Sequence, residues 1–355
     1  MNIRFLFLFL MIVCLSVMTI RCKQERGLGS ITTVAVTDIT NTSARCEINV
    51  TSDGGGSGDV FHDILYSNVI TEPVWPYDPV GTWGGSSGLG TDYIVLNDLT
   101  PGTIYYVRAY VWNDVGIAYG NVLSFTTTGS VTGEILFNPE INYGIVSDIE
   151  GNKYKTVLIG DQTWMAENLK TRKLNSGQEI RDIPDFDDWA AVNMPALCWY
   201  VNDETKYNST YGAMYNWYAV NTGKLCPKGW HVPSDEDWTI LSEYLGGSEP
   251  AGHQLQEKGF THWVKSDAAV TNNSGFTALP GGYRIGHADL LHYFKYLGYN
   301  ASFWSSTVTQ EYDDEYPSSW GIYYDNGYGY GTGGLYGDHT WLSKRDGRSV
   351  RCVKD

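Results

Sequence analysis

Basic residues are scarce in this chain. Its 355 residues include 24 Lys and Arg against 40 Asp and Glu, which gives a formal net charge of −16 at pH 7. Proteins that bind nucleic acid through the phosphate backbone need clustered Lys and Arg, so this balance excludes a nucleic-acid partner. An excess of acidic residues most simply keeps a protein soluble.

The signatures of several catalytic classes are also missing. The chain has no Cys-x-x-Cys pair and no His-x-x-x-His pair, which are common zinc-binding patterns. Its C-terminal part has no Gly-x-Ser-x-Gly turn and no Gly-rich loop that would cradle a phosphate. We therefore expect a protein that is not an enzyme, with no catalytic residues and no organic cofactor.

Long apolar runs are limited to a single segment near the start of the chain. Residues 5–20 are apolar and follow Arg4, and the run is too short and too early to span a membrane comfortably. It predicts a signal peptide over residues 1–21, followed by a lipid-modified Cys22 and a polar tether over residues 22–30. We expect the protein on the cell surface or outer membrane, held by the lipid alone, with simple secretion as the alternative.

Cysteines are few. Cys14 lies in the predicted signal peptide and Cys22 would carry the lipid, which leaves Cys46, Cys198, Cys226 and Cys352. Disulfides persist in exported proteins, and these four residues allow three complete pairings, between which the spacing does not choose.

Residues 31–130 alternate short β-rich runs with turns rich in Gly and Pro. Strands are predicted at 31–39, 44–50, 61–65, 91–96, 104–112 and 122–127. The region shows no helical periodicity, so we predict an antiparallel β-sandwich.

Residues 99–110, with the sequence LTPGTIYYVRAY, resemble the second half of a fibronectin type III domain. The resemblance implies that Tyr105 folds back across the corner between two strands and has a structural role. Trp75 and Trp83 fall in a long predicted loop. Their rings either stack on a ligand or pin the loop to its own sandwich.

Residues 131–355 are rich in Trp, Tyr and Gly, and we predict a mixed α+β domain with an aromatic core. Ser234 to Asp237 form a predicted capping box that opens a helix, which Gly246 and Gly247 end. Further helices are predicted over 211–220 and from about 250 to 259. Short strands are predicted at 153–159, 276–279, 303–307 and 349–353.

Several motifs in this region match a known family. They are DIEGNKYKTV at 148–157, IGDQTWMAENLK at 159–170, YGAMYNWYAV at 211–220, LCPKGWHVPS at 225–234, residues 275–284, FWSST at 303–307 and SVRCV at 349–353. Together they resemble the Fibrobacter succinogenes major paralogous domain of Bacteroidetes-type exported lipoproteins. The resemblance implies a C-type-lectin-like fold, similar in layout to formylglycine-generating sulfatase-type domains. It also implies a disulfide between Cys226 and Cys352, which would close the two ends of the domain.

The C-type-lectin resemblance places ligand contacts in the late, Tyr- and Gly-rich stretch of the domain. The candidate binding residues are Trp304, Trp320, Tyr323, Tyr324, Asp325, Asn326 and Tyr328. Aromatic faces stack on sugar rings, and carboxylates bind calcium. The C-terminal part lacks the Glu-Pro-Asn and Trp-Asn-Asp calcium motifs of lectins, so a calcium site stays open. The alternative for this stretch is a Gly-Tyr hairpin that only completes a sheet.

His231 lies between Trp230 and Val232, just before the predicted helix. We expect it to be a buried, hydrogen-bonded structural residue rather than an acid–base catalyst.

The sequence as a whole predicts a fibronectin type III-like β-sandwich followed by an α+β C-type-lectin-like domain. As the leading function we expect a surface binding protein or adhesin that presents the second domain to a glycan or a protein. A structural or tip subunit of a surface appendage is one alternative. A divergent enzyme of the sulfatase-activating type is the other, although Cys352 is the one cysteine in the late region where those enzymes carry a reactive pair.

Overall fold

The chain forms an all-β unit followed by a larger unit of strands and short helices. The computed structural model describes residues 26–55, 60–75, 86–264, 266, 268–286, 294–311, 314–324, 333–338 and 342–355. The predicted signal peptide and Cys22 lie outside the described residues. Within these ranges, no helix is long and apolar enough to cross a membrane.

The first unit is a β-sandwich. Its strands are β1 (Ser30–Thr37), β2 (Ala44–Ser52), β3 (Phe61–Ser67), β4 (Ser86–Ser87), β5 (Gly90–Leu96), β6 (Ile104–Trp112) and β7 (Ile117–Thr126). One antiparallel sheet has the order β1-β2-β5 and the other β4-β3-β6-β7. Alternate residues of β2 and β6 are buried between the sheets, as expected for strands with one solvent face. The predicted fibronectin type III-like sandwich is confirmed.

The corner before β6 is held by Tyr105. The backbone N–H of Thr100 donates to Tyr105 Oη at 2.9 Å, and the Tyr105 ring stacks on Phe125 with 5.8 Å between centroids. The same turn contacts the second unit, because Tyr299 Oη donates to the Leu99 carbonyl at 3.3 Å. The expected structural role of Tyr105 is confirmed.

The second unit is mostly β, with few helices. Its strands are β8 (Gly144–Ser147), β9 (Lys153–Ile159), β10 (Gln162–Met165), β11 (Arg181–Asp182), β12 (Ala196–Cys198), β13 (Met214–Tyr215), β14 (Trp230–His231), β15 (Tyr283–Arg284), β16 (Phe294–Lys295), β17 (Asn300–Glu311), β18 (Asp314–Tyr323), β19 (Leu335–Asp338) and β20 (Val353–Lys354). Its helices are α1 (Phe186–Ala191), α2 (Glu204–Tyr211), α3 (Trp217–Val220), α4 (Asp235–Tyr244) and α5 (Ser248–Leu255). The largest sheet has the order β14-β20-β10-β9-β8, so the last strand lies between two earlier ones.

Helix α4 begins as its sequence predicts. Ser234 Oγ accepts from the Asp237 N–H at 3.2 Å, and Asp237 Oδ2 accepts from the Ser234 N–H at 2.8 Å, which completes the capping box. Trp238 and Leu241 face the core. The aromatic core is also confirmed, because Trp238 contacts Trp164, Phe276 and Phe303.

The prediction of one helix over 211–220 is wrong. Helix α2 ends at Tyr211, and Gly212 has φ +68° and lies against the Leu169 carbonyl oxygen, which a Cβ there would approach to 2.6 Å. Met214 and Tyr215 then form β13. Asn216 caps the separate helix α3, since its side chain accepts from the Ala219 N–H.

Two other predicted elements differ in detail. The third helix, α5, runs from Ser248 to Leu255 and ends because Gln256 is extended, with φ −66° and ψ 139°. The predicted strand at 276–279 reduces to one isolated bridge between Gln256 and Ala278.

A disulfide joins Cys226 and Cys352, which are 126 residues apart. It ties the segment before β14 to the end of the chain next to β20, and it confirms the predicted pairing. Cys46 and Cys198 are buried free thiols.

Candidate functional site

The sheet formed by β17, β18 and β19 has one face in the core and one face in a cavity. Asn300 pairs with Tyr323, while Gly321 pairs with both Ser302 and Tyr336. Since side chains alternate along strands, these residues share a face. The opposite face carries apolar side chains that pack in the core, namely Ala301, Phe303, Ile322 and Leu335.

We name the cavity on the polar face the tyrosine cavity; its volume is about 300 Å³. The sheet contributes Asn300, Tyr323, Tyr324, Tyr336, Gly337 and Asp338 to its lining. The remaining lining residues are Tyr283 on β15, Lys295 on β16, Tyr296 after it, and Arg348. Five separate stretches of the chain therefore meet at this site, at 283, 295–300, 323–324, 336–338 and 348.

Two tyrosine rings of the cavity each lie over a glycine two residues earlier in the chain. A Cβ on Gly321 would come within 2.7 Å of the Tyr323 ring, and a Cβ on Gly334 within 2.7 Å of the Tyr336 ring. Any larger residue at either glycine would have to displace the ring. The two Gly-x-Tyr segments thus fix part of the cavity wall.

Arg348 is a buried cation of the cavity. Its guanidinium donates to Ser302 Oγ, lies 3.6 Å from Asp346 Oδ2 and stands 4.7 Å from the centroid of the Tyr283 ring. Burial disfavours the charged form and is the largest single effect, but Asp346, Tyr323, Tyr283 and Asp338 together outweigh it and hold the pKa of Arg348 above its usual value. Arg348 is therefore a fixed positive charge.

Lys295 is the second cation of the cavity and is half-buried. No carboxylate among the described residues lies within ion-pair distance of its ammonium group. Burial lowers the pKa of Lys295, because the charged form loses hydration that nothing replaces.

Three further polar atoms of the lining residues are buried. Asn300 Oδ1, Tyr323 Oη and Arg348 Nε have no hydrogen-bond partner within the described part of the chain. A buried unpaired polar group costs about 1 to 3 kcal/mol, so such groups in a cavity favour a ligand that pairs with them.

The phenols of Tyr283 and Tyr323 are neutral near pH 7. Burial raises the pKa of Tyr323, and it raises the pKa of Tyr283 as well, although Arg348 partly opposes both shifts. Each hydroxyl is therefore available as a hydrogen-bond donor as well as an acceptor.

The structure separates the residues that the sequence proposed as ligand contacts. Tyr323 and Tyr324 line the tyrosine cavity. Tyr324 is 7% exposed, and its hydroxyl donates to Gln256 Oε1 at 2.8 Å, so only its edge belongs to the cavity. Asp325, Asn326 and Tyr328 lie outside the described residues.

The two tryptophans of the proposed set lie elsewhere. Trp304 is completely buried, and its indole N–H donates to the Tyr215 carbonyl at 2.6 Å, so no face of its ring is open to a ligand. Trp320 lies on the core face of the sheet, where it stacks on Trp238 and donates to Asp235 Oδ1 at 2.8 Å. Both rings therefore pack against core residues.

The loop tryptophan Trp75 of the sandwich is tied to its own domain. Its ring stacks on Tyr110, with 6.3 Å between centroids, and its backbone N–H donates to Tyr119 Oη at 2.9 Å. Trp75 is nevertheless 44% exposed. Trp83 lies outside the described residues.

His231 is not buried as expected. Its side chain is 44% exposed, with Nδ1 at 2.7 Å from Asp355 Oδ1 and Nε2 at 3.3 Å from Asp237 Oδ2. Strand β14 places it beside the end of the chain and the first turn of α4, where both carboxylates hold the ring. Its hydrogen bonds are those of a structural residue.

The described residues contain no group of three or more His, Cys, Asp and Glu side chains that could hold a metal ion. Asp325, the carboxylate among the candidate binding residues, lies outside the described residues.

Sequence reasoning missed most of the cavity. Tyr283, Lys295, Asn300, Tyr336, Asp338 and Arg348 line it but were not proposed as contacts. The repeated Gly-x-Tyr spacing at 321–323 and 334–336 is a local signal that could have indicated Tyr336. The others are brought together only by the fold.

Comparisons with known proteins concern both units of the chain. No curated protein sequence matches it. Among similar solved structures is the sensor domain of the anti-sigma factor RsgI4 from Pseudobacteroides cellulosolvens, which is 20% identical, covers 29% of this chain and 98% of that chain, and has a TM-score of 0.23. A fibronectin type III domain from the human KIAA0970 protein is 18% identical, covers 33% of this chain and 85% of that chain, and has a TM-score of 0.20.

A family model provides the assignment. The model described as the Fibrobacter succinogenes major domain matches residues 157–354, which is more than half of the chain and includes every residue of the tyrosine cavity. The chain belongs to the Fibrobacter succinogenes major domain family.

Proposed function

We propose that this chain is a non-enzymatic surface protein whose C-terminal domain, of C-type-lectin-like type, binds a glycan in the tyrosine cavity. One observation carries the proposal: Asn300 and Arg348, each with a buried polar atom that has no partner among the described residues, line a cavity walled by tyrosine rings. Sugars combine hydroxyls that satisfy such atoms with C–H faces that pack on aromatic rings.

The size of the cavity supports a small ligand or the end of a chain. Small-molecule sites typically measure about 300 to 1,000 Å³. At about 300 Å³, the tyrosine cavity accommodates one or two sugar units rather than a long segment of polysaccharide. We therefore expect recognition of a terminal sugar.

The test is a glycan array probed with the wild-type protein and with Tyr323→Ala and Tyr336→Ala. Loss of one packing ring is expected to weaken binding about tenfold, which corresponds to ~1.4 kcal/mol. Tyr244→Ala is the matched control, because Tyr244 is 65% exposed on α4 and lies outside the cavity.

The array also separates this proposal from its alternatives. A wild-type protein that binds no glycan would contradict glycan recognition, and self-association in the same preparation would favour an appendage subunit. Binding that survives both cavity substitutions would place the site elsewhere, with the exposed Trp75 as the next candidate.

We also propose that the protein is exported and anchored by a lipid on Cys22, within the cell outer membrane or at the cell surface. The support is the sequence of residues 1–30. Labelling cells with a radioactive fatty acid should mark the wild-type protein and not Cys22→Ser. Equal labelling of the two would contradict the anchor, whereas recovery of unlabelled protein in the medium would indicate simple secretion.

A further inference from the structure

Lys295 is the one cavity residue whose charge the described part of the protein leaves uncompensated. Strand β16 places it opposite Tyr283 in the pairing with β15, so both side chains reach the tyrosine cavity. Arg348, by contrast, has Asp346 beside it. The charge of Asp338 raises the pKa of Arg348 and of Tyr323, whereas burial is the whole cause of the lowered pKa of Lys295.

An ammonium group in this position is unfavourable without a ligand. It has lost part of its hydration and has gained no carboxylate among the described residues. Burying an unpaired charge costs free energy that an opposite charge restores. A neutral sugar would leave this cost in place, whereas a bound anion would remove it.

The rest of the wall includes one carboxylate, that of Asp338, but it also offers groups that accept an anion. Since Tyr283 and Tyr323 stay protonated, their hydroxyls donate hydrogen bonds and add no negative charge. The fixed positive charge of Arg348 lies on the same cavity. The protein as a whole carries −16, so its overall charge repels an anion and the selectivity must be local to these two cations.

We infer that the ligand of the tyrosine cavity is an anionic glycan, and that Lys295 binds its acidic group while Asn300 and the tyrosine rings bind the sugar. This inference rests on the proposed function and adds the chemical class of the ligand. The acidic group is a carboxylate of a uronic or related acid, or a sulfate ester, since both present oxygens to an ammonium group.

The experiment measures affinities by isothermal titration calorimetry with matched sugars. The probes are oligogalacturonates, their methyl esters and sulfated galactose oligomers, with unmodified galactose oligomers as the neutral reference. The proteins are the wild type, Lys295→Met, and Lys258→Met, whose lysine is exposed and lies outside the cavity.

The wild type and Lys258→Met should prefer an anionic probe over its neutral partner by about tenfold, or ~1.4 kcal/mol. Lys295→Met should bind both forms with affinities within about twofold of each other, because methionine keeps the packing but removes the charge. A preference for the oligogalacturonate identifies a carboxylate, and a preference for the sulfated oligomer identifies a sulfate.

Further outcomes distinguish this inference from the proposed function. Equal binding of anionic and neutral sugars by the wild type overturns the anionic ligand, and an undiminished preference in Lys295→Met overturns the role of Lys295. Both outcomes leave glycan binding intact. Absence of binding to every probe and to a general glycan array overturns both. Unliganded Lys295→Met should melt at or above the wild-type temperature, which shows that its altered preference is not caused by unfolding.

Discussion

The ring of Tyr336 lies directly over Gly334, where a Cβ would come within 2.7 Å of Cε2, Cζ and Oη. The glycine is therefore part of the cavity even though it has no side chain of its own. Because the obstructing atoms all belong to one side chain, the conflict can be removed by changing that side chain alone.

We predict that Gly334→Ala destabilises the protein by about 1 to 3 kcal/mol, because the alanine forces the Tyr336 ring from its position. In a Tyr336→Ala background the same substitution should be nearly neutral, since its obstacle is gone. Urea unfolding of the wild type, of each single variant and of the double variant measures the coupling between Gly334 and Tyr336. Equal effects of Gly334→Ala in both backgrounds would show that the ring does not depend on the glycine.

The disulfide gives a second prediction. Reduction of Cys226–Cys352 opens a loop of more than a hundred residues, for which the chain-entropy model gives about 4 to 5 kcal/mol of lost stability. Thermal unfolding with and without reductant should show a large drop in melting temperature for the wild type. The Cys226→Ser and Cys352→Ser double variant should already melt low and should not respond to reductant. If reductant still lowers the melting temperature of this variant, the effect must come from other cysteines.

Tyr105→Phe should destabilise the sandwich by about 1 to 3 kcal/mol, because the buried N–H of Thr100 loses its acceptor while the ring is kept. Tyr93→Phe serves as the control, since Tyr93 is 48% exposed and its ring contact with Arg45 survives the change. Denaturant unfolding compares the two. Similar stabilities of both variants would mean that the corner does not need the hydroxyl.

The capping box predicts a pH dependence. Burial alone would raise the pKa of Asp237, but hydrogen bonds from Ser234 and from His231 outweigh it and lower the pKa below the ordinary value of 3.8. The folded state thus binds this proton less readily than the unfolded state. The carboxylate therefore contributes stability above pH 3.8, and this contribution is lost as the pH falls through the folded pKa.

Melting temperatures of the wild type and Asp237→Asn should accordingly differ more at pH 6 than at pH 2. Asp188→Asn, which removes an exposed carboxylate from the first turn of α1, controls for the loss of one acidic charge. If the difference between wild type and Asp237→Asn stays constant with pH, the stability does not come from the ionised carboxylate.

Local patterns were sufficient for much of this fold. The alternation in β2 and β6 is a period-two signal that needs no knowledge of the partner strand. Helix α4 carries its start signal at Ser234 and its stop signal at Gly246 and Gly247. Such elements are decided within about ten residues, so the sequence predicts them well.

The failures occur where distant segments decide the local structure. Met214, Trp217 and Tyr218 have helical spacing, yet Gly212 lies against the carbonyl of Leu169 and the chain turns there. No property of residues 211–220 by themselves reveals that contact. His231 likewise takes one of its hydrogen-bond partners from Asp355, which is 124 residues away.

The tyrosine cavity is unpredictable for the same reason. Lys295, Tyr323, Tyr336 and Arg348 come from separate segments, and only the two tyrosines share a local pattern, the Gly-x-Tyr spacing. The sequence indicated the aromatic character of the late region and placed Tyr323 and Tyr324 in one group, and both line the cavity. It could not distinguish Trp320, on the core face, from Tyr323, on the opposite face, without the strand register.

The position of β20 has a consequence for how the protein folds. Val353 pairs with Trp164 on one side and with His231 on the other, so the sheet has a gap until this strand arrives. A chain leaves the ribosome from its N-terminus. The sandwich can therefore form before β20 is available to complete the largest sheet of the second unit. Contacts between residues so far apart in sequence also slow folding. Until β20 docks, strands β10 and β14 expose unpaired edges to solvent.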